Sequence, residues 1–401
     1  MNKRRLAVFF AVFFTLYGLL NLYLFLSGWH AIPAASGLRP FYAALFLACA
    51  LSFFAGRTLE RRRASPFSVL LVHTGAYWFG AMLYLLMGAV IVDLLRAVNA
   101  FVPIFPGAVA AHPAAAGLAA LAVVTGLTAI VLAAGHANAL VVRVREVDVR
   151  VPGKSLKGAE TVRIVAASDI HLGTIIGARR LRGLIERINA LGPDVVLLPG
   201  DIVDEDLAPV IRGNLGETLR AIRAPQGVYA VTGNHEFIGG AGPACEYLSA
   251  HGITMLRDSV VRLASGLTIV GREDRSGAGF AGTKRKTLEA LMEGVDTSSP
   301  VVLMDHQPFG LREATGKGID LQLSGHTHHG QLWPLNFITK RVYELSWGEK
   351  EIAGTRFLVS CGVGTWGPPV RTGNRPEILL IRLHASRDSS SQPPGARSGG
   401  S

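Results

Sequence analysis

Two regimes of hydrophobic patterning divide this chain of 401 residues. Up to about residue 140 the sequence is dominated by four apolar runs, 6–26, 38–55, 67–92 and 114–134. A helix of about 20 apolar residues spans a ~30 Å hydrocarbon layer, so each run predicts a membrane-crossing helix. The second run is short, and the third is long enough to tilt or to end early at Asp93. From 141 onward the periods shorten. Residues 141–151 alternate apolar and charged side chains and predict an edge strand. The β-branched runs at 162–167, 195–198, 228–231, 301–304 and 319–323 predict buried strands. Residues 179–191 carry apolar positions at helical spacing and stop at Gly192-Pro193. Helices are also predicted over 215–222, 243–250 and 283–294. Strands at 253–257, 260–263 and 267–270 predict a second sheet, and 357–360 and 378–383 close the core. The expected architecture is α/β: a four-helix transmembrane region over 1–138, then a domain over 139–385 with two mixed sheets packed together and helices outside. The Ser-, Pro- and Gly-rich stretch 386–401 predicts a disordered tail.

Chemistry concentrates where the predicted strands end. Asp169-Ile170-His171, Gly200-Asp201-Ile202-Val203-Asp204, Gly233-Asn234-His235-Glu236, His306 and Gly325-His326-Thr327-His328 each follow one of the apolar runs. Strands that end in polar side chains, repeated around a sheet, bring distant residues to one point. Carboxylates and imidazoles without thiolates suit divalent Mn, Fe or Zn. Two cations about 3.5–4 Å apart need a bridging carboxylate, and Asp201 is the natural bridge. The i, i+2 spacing of Asp169 with His171, and of His326 with His328, would aim both members of each pair to one side of an extended segment.

These motifs, in this order, resemble the calcineurin-like metallophosphoesterase superfamily over roughly residues 160–385. The likeness is densest at Ser168-Asp169-Ile170-His171-Leu172-Gly173 and at Ser324-Gly325-His326-Thr327-His328-His329-Gly330-Gln331. Ser360-Cys361-Gly362-Val363-Gly364, followed by Arg375-Pro376-Glu377-Ile378, resembles the membrane-associated bacterial branch. The resemblance implies an αββα sandwich and two divalent metal ions. It implies that Asp169, His171, Asp201 and His328 hold one ion and Asp201, Asn234, His306 and His326 the other. It further implies that His235 protonates the leaving oxygen or stabilises phosphoryl charge, that Asp204 orients His235, and that a metal-bound hydroxide attacks without a covalent phospho-enzyme. Glu236 reads as structural. His329, where the family motif often has Gly, adds an imidazole and a candidate phosphate contact.

Other signals carry less. Gly277-Ala278-Gly279-Phe280-Ala281-Gly282 has dinucleotide-binding spacing, but Arg272–Ser276 separates it from a strand, and a surface loop near the site mouth is expected instead. Thr283 replaces the Lys of a phosphate-binding P-loop, and no Gly-x-Ser-x-Gly elbow is present. The formal charge is +11, partly from arginines flanking the apolar runs. No basic stripe with interleaved aromatics accompanies it, so nucleic acid is not an expected partner. Cys49, Cys245 and Cys361 form neither a CxxC pair nor a disulfide framework.

Lys3, Arg4 and Arg5 precede the first apolar run, and Arg57, Arg61, Arg62 and Arg63 lie between the second and third. The segments 27–37 and 99–113 contain neither Lys nor Arg. The positive-inside rule therefore predicts a multi-pass protein of the inner membrane with its N-terminus and its C-terminal domain in the cytoplasm. The short linker after 134 predicts a phosphoester or pyrophosphate substrate carried on a lipid, with membrane lipids as partners. The resemblance agrees, since some membrane-associated relatives cleave the pyrophosphate of nucleotide-linked acylated sugars. The alternatives are a general phosphodiesterase for soluble esters and a non-catalytic membrane scaffold or sensor with a structural metal.

Overall fold

A computed structural model describes residues 3–158 and 160–386. The expected disordered tail lies, from 387 onward, outside the described residues. The four apolar runs form helices Lys3–Ala31, Leu38–Arg62, Pro66–Phe101 and Pro113–Leu140. Each is long and apolar enough to cross a membrane. Their ends extend beyond the apolar runs because the polar flanks continue the helix. Ser65 begins the third with a reciprocal cap, its hydroxyl accepting from Ser68 N while Ser68 Oγ accepts from Ser65 N. Small residues set the spacing of the second and third helices. A Cβ on Gly75 would overlap the Phe53 backbone, and one on Gly56 would press on Val72. Polar links close the group, with Trp78 Nε1 donating to Asn21 Oδ1 at 3.0 Å and Tyr17 Oη to Ala50 O at 2.6 Å.

This compact unit runs to Val141 and also takes in Gln331–Pro334 and Thr365–Arg375. Arg371 N donates to Gly135 O at 2.9 Å, and Asn138 Nδ2 donates to Arg371 O and Asn374 O. The hydroxyls of Tyr84 and Thr372 share a hydrogen bond. Gln331 ties the two segments together by donating to Trp366 O and Pro368 O and accepting from Trp366 N.

The second unit contains all twelve strands of the described residues: β1 (Arg143–Pro152), β2 (Thr161–Ala166), β3 (Val195–Pro199), β4 (Val228–Val231), β5 (Thr254–Met255), β6 (Ser259–Arg262), β7 (Thr268–Gly271), β8 (Val301–Met304), β9 (Leu321–Ser324), β10 (Gly348–Ile352), β11 (Thr355–Val359) and β12 (Glu377–Ser386). They form two six-stranded sheets, ordered β1-β12-β2-β3-β4-β5 and β10-β11-β9-β8-β7-β6. Strands β2 to β5 are mutually parallel, as are β7, β8, β9 and β11. Alternation of side chains along each strand builds three apolar layers. Val162, Ile164, Ala166, Val195 and Leu197 meet Val302, Met304, Leu321 and Leu323 between the sheets. Val165, Val196 and Leu198 face the other way, onto Leu181, Leu184, Ile185 and Ile188 of helix Ala178–Ala190. Val301 and Leu303 pack on Leu288 and Leu291. The result is the αββα sandwich, with β1 on its edge as the alternating pattern predicts.

The structure corrects several boundaries. The run 253–257 forms only β5, and it extends the first sheet by pairing with β4 rather than joining the second. The helix expected over 283–294 shrinks to Leu288–Met292. The preceding basic residues are used for tertiary contacts: Arg285 Nη1 meets Asp305 Oδ1 at 3.0 Å, and Lys286 N donates to Asp258 Oδ2. The glycine-rich segment, expected as a loop, makes one helical turn at Gly277–Phe280. Helix Asn336–Val342 and strand β10 carry no periodic signal that predicts them.

Candidate metal centre

The carboxyl ends of β2, β3, β4, β8 and β9 converge, and each delivers its motif within a few residues of the strand. Asp169, His171 and His328 place ligand atoms within 4.8 Å of one another, as do Asp201, His306 and His326. Asp201 stands centrally. Its Oδ2 lies 3.1 Å from His306 Nε2 and 3.9 Å from His171 Nε2. Asn234 Oδ1 completes the second group, 3.2 Å from His306 Nε2 and 2.7 Å from His326 Nδ1. All seven residues to which the sequence assigns a ligand role are therefore brought together.

The convergence is not achieved by extended segments. Asp169, His171, Asp201, His326 and His328 all have positive φ, between 44° and 69°. This left-handed conformation is costly for a side chain larger than glycine and persists only where surrounding structure imposes it. Here the backbone imposes it. Asp169 N donates to Gly200 O, His171 N to Asp201 O, and His326 N to Asp169 Oδ1. Left-handed turns, not extended segments, bring Asp169 and His171 into one group, while His326 and His328 go to different groups. Glycines leave room for the carboxylates. A Cβ on Gly233 would collide with Asp201 Oδ1, and one on Gly325 with Asp169 Oδ2.

The donor set fits metal cations. His171 Nε2 and His328 Nε2 face each other at 3.0 Å, two ring nitrogens aimed at one point. Asp169 and Asp201 are both essentially buried, and negative charge there requires a positive counterpart. Burial acts to lower the pKa of His306, but Asp201 and Asp169 outweigh it and hold His306 well above the ordinary imidazole value. The cluster thus draws positive charge onto itself, a role metal cations take over as protons leave. His326 has the opposite tendency: burial and the neighbouring His306 push it down to about 3, which keeps the ring neutral as a ligand must be.

A third group lies beside the first two. His171, Asp204 and His235 also place ligand atoms within 4.8 Å of one another. Asp204 Oδ1 is 3.1 Å from His235 Nδ1 and 3.7 Å from His171 Nδ1. Burial would lower the pKa of His235, yet Asp201, Asp204 and Glu205 together raise it to about 9. Burial likewise acts to raise Asp204, and hydrogen bonding to His171 and His235 overcomes it and holds the carboxyl far below its usual range.

Glu236 joins two of the site loops. It is buried, and its carboxylate accepts from Asp201 N at 3.1 Å, Gly233 N at 2.7 Å and Val203 N at 2.8 Å. Three buried donors depend on this one group, at about 1–3 kcal/mol for each donor left unpaired. Glu236→Ala should therefore lower stability by about 3 kcal/mol or more. For a domain of this size that is a fall of about 6–12 °C in thermal midpoint, together with a loss of bound metal. A melting curve and metal analysis identical to wild type would remove this role.

Some residues around the site were not legible beforehand. Tyr343 sets its ring 6.0 Å from that of His326, Phe309 lies tilted against Tyr343 at 4.6 Å, and the Arg275 guanidinium lies 4.9 Å above Phe309. None belongs to a spaced motif, so no periodic or motif signal marks them. Asp305, next to His306, is buried between Arg272 and Arg285. His329 differs from the expectation of a phosphate contact. The segment is a left-handed turn rather than a strand, and His329 Nδ1 meets Ser346 Oγ at 3.0 Å while its ring lies against Trp347.

Residues 162–330, which carry every one of these ligand positions, match the calcineurin-like phosphoesterase family. The chain is 34% identical over 229 residues to a metallophosphoesterase of Aquifex aeolicus, covering 57% of this chain and 86% of that one. It is 30% identical over 244 residues to the metallophosphoesterase YkuE of Bacillus subtilis, covering 57% and 81%. A bovine transmembrane protein with a metallophosphoesterase domain is 33% identical over 242 residues, and the match spans 56% of this chain and about half, 54%, of the bovine one. With the layered sheets, the strand-end cluster and these relatives in agreement, the chain belongs to the calcineurin-like phosphoesterase family and is a metal-dependent phosphoesterase.

Proposed function

We propose that this protein is a membrane-anchored phosphohydrolase that uses two divalent cations, Mn, Fe or Zn, to cleave a phosphoester or pyrophosphate bond on a lipid-linked substrate. The observation that carries the reading is the central, buried Asp201, within reach of both histidine groups. Asp169, His171, Asp201 and His328 would hold one cation, and Asp201, Asn234, His306 and His326 the other. When bound, the cations supply Lewis acidity toward the phosphoryl oxygens and the attacking water. The chain's own residues do the rest. His235, kept protonated by Asp201, Asp204 and Glu205, can give its proton to the leaving oxygen. Asp204 holds the Nδ1 edge of that ring, so Nε2 is the atom left to meet substrate. Glu236 fixes the two loops that carry Asp201 and Asn234.

Membrane attachment rests on the four apolar helices, and the lipid substrate on the brevity of the tether. Only Val141 and Val142 separate helix Pro113–Leu140 from β1 at Arg143, so the chain between them is short. Lys and Arg at the N-terminus and at 57–63 support a cytoplasmic location for the second unit. A fluorescent reporter fused after residue 385 should be bright and a periplasm-dependent phosphatase reporter silent. The reverse pattern would move the site to the other side. The activity itself is tested with the purified full chain and an aryl phosphodiester. Turnover should appear with added manganese and vanish with a chelator. Turnover unchanged by chelation would exclude the metal reading.

A further inference from the structure

Ten residues beyond His326 the chain forms a short helix, Asn336–Val342, whose side chains are not buried in the protein. Phe337, Ile338 and Val342 are 61%, 59% and 54% exposed, although each would ordinarily seek an apolar environment. At 100° per residue, Phe337, Arg341, Ile338 and Val342 occupy one arc of about 140° on the helix surface. Lys340 and Arg341, both exposed, give the same short helix two cationic side chains. Glu344 is the only acidic residue within five positions of the helix C-terminus, and it is engaged by Lys350 at 2.8 Å.

The helix also opens directly onto the metal centre. Tyr343, its C-terminal cap, sets its ring against His326 and against Phe309. The residues just before it, Gln331–Pro334, belong to the helical unit, where Trp333 N donates to Thr372 Oγ1. One residue, Leu335, separates that segment from the helix. An amphipathic segment with aromatic and aliphatic side chains on one arc and Lys or Arg beside them is suited to the headgroup region of an anionic bilayer. There the arginine stem lies along the apolar layer and its head reaches lipid phosphates.

We propose that Asn336–Val342 is an interfacial helix that inserts Phe337, Ile338 and Val342 into an anionic membrane surface and presents the mouth of the metal centre to lipid headgroups. The occupant is a lipid surface rather than a protein groove, because two cationic side chains accompany the apolar ones and the chain carries four apolar helices of its own. Insertion is independent of turnover. The substrate consequence, preference for a phosphoryl group carried on a membrane lipid, rests on the function proposed above.

Two measurements separate insertion from catalysis. The first uses the full chain in nanodiscs, with Ile338→Cys labelled by an environment-sensitive dye after Cys49, the half-exposed native thiol, is replaced by Ala. In discs containing phosphatidylglycerol the dye should shift to the blue and be quenched by doxyl groups at a shallow position in the acyl chain. A dye that is quenched by aqueous iodide and not by doxyl lipid overturns the proposal, whatever the activity. The second compares Phe337→Ser/Val342→Ser with wild type on a lipid phosphate in the same discs and on its short-chain soluble analogue. kcat/KM should fall ten-fold or more on the lipid and stay within two-fold on the analogue. An equal fall on both would mean that the helix only supports Tyr343 and the site, and would overturn the presentation role. Blue-shifted, doxyl-quenched dye with no hydrolysis of either ester would leave insertion standing and defeat the proposed hydrolase.

Discussion

Asp201→Ala should abolish hydrolysis and cost the protein most of its bound metal. Asp201 Oδ2 is within 3.1 Å of His306 Nε2 and 3.9 Å of His171 Nε2, and its Oδ1 accepts from His235 N at 2.9 Å. One carboxylate therefore serves both histidine groups and also fixes the backbone of the residue proposed as the acid. Removing it takes away the shared negative charge between two cation positions. It also leaves a buried N–H without an acceptor, at about 1–3 kcal/mol. Asp169, the other buried carboxylate of the centre, is already engaged by His326 N and lies 3.7 Å from His328 Nε2. Metal analysis of purified Asp201→Ala should show well under half the wild-type content, and turnover should fall to background. A metal-free Asp201→Ala protein with full activity would end the dinuclear reading.

His235→Ala should behave in the opposite way, keeping its metal and losing turnover by a factor of about 10²–10⁴, the range for a lost general acid. His235 is not part of either four-residue set. It touches the centre through Asp204, 3.1 Å from Nδ1, through its ring, edge-on to that of His171 at 4.6 Å, and through its backbone bond to Asp201. The substitution keeps that backbone bond, so the loop geometry should survive. The loss should depend on the leaving group. An ester with a good leaving group, such as a nitrophenolate, needs little protonation and should be spared relative to an alkyl ester. A His235→Ala protein that loses both substrates equally, or that loses its metal, would assign His235 to the metal centre rather than to proton transfer. Asp204→Asn should reproduce a milder form of the same pattern, since Asp204 acts on the rings of His235 and His171 and not on the phosphoryl group.

Both experiments test a division of labour that the contacts of three successive side chains suggest. Asp169, His171, Asp201, Asn234, His306, His326 and His328 form the two groups proposed to hold cations. One residue past Asn234, His235 is proposed to act on the substrate, and at the next position Glu236 accepts from three backbone N–H groups. The distinction arises from chain direction. At Gly233 the backbone is extended and then enters the helix Asn234–Gly239, so Asn234, His235 and Glu236 point three different ways from three successive positions. Asn234 meets the histidines, His235 meets Asp204, and Glu236 reaches back to Gly233 N.

The layered sandwich was readable because its inner strands are buried on both faces, so β3 and β8 read as short continuous apolar runs while the edge strand β1 alternates. Side-chain direction then sends Val162, Ile164 and Ala166 one way and Val165 the other. The four apolar helices were readable from length alone. The site residues were readable because Asp, Asn and His at strand ends have few other uses in such density. What remained hidden depends on partners far apart in sequence. The left-handed backbone at Asp169, His171, Asp201, His326 and His328 is imposed by hydrogen bonds between separate loops, and no local propensity favours it. The three-way clamp of Glu236 required loops 33 to 35 residues away to come alongside. The assignment of Thr365–Arg375 to the helical unit rests on bonds from residues 135 and 138, more than 230 positions earlier. The apolar arc of Asn336–Val342 is not legible in the sequence because its meaning lies in exposure. A sequence names which side chains are apolar, and packing alone settles which of them the fold leaves uncovered.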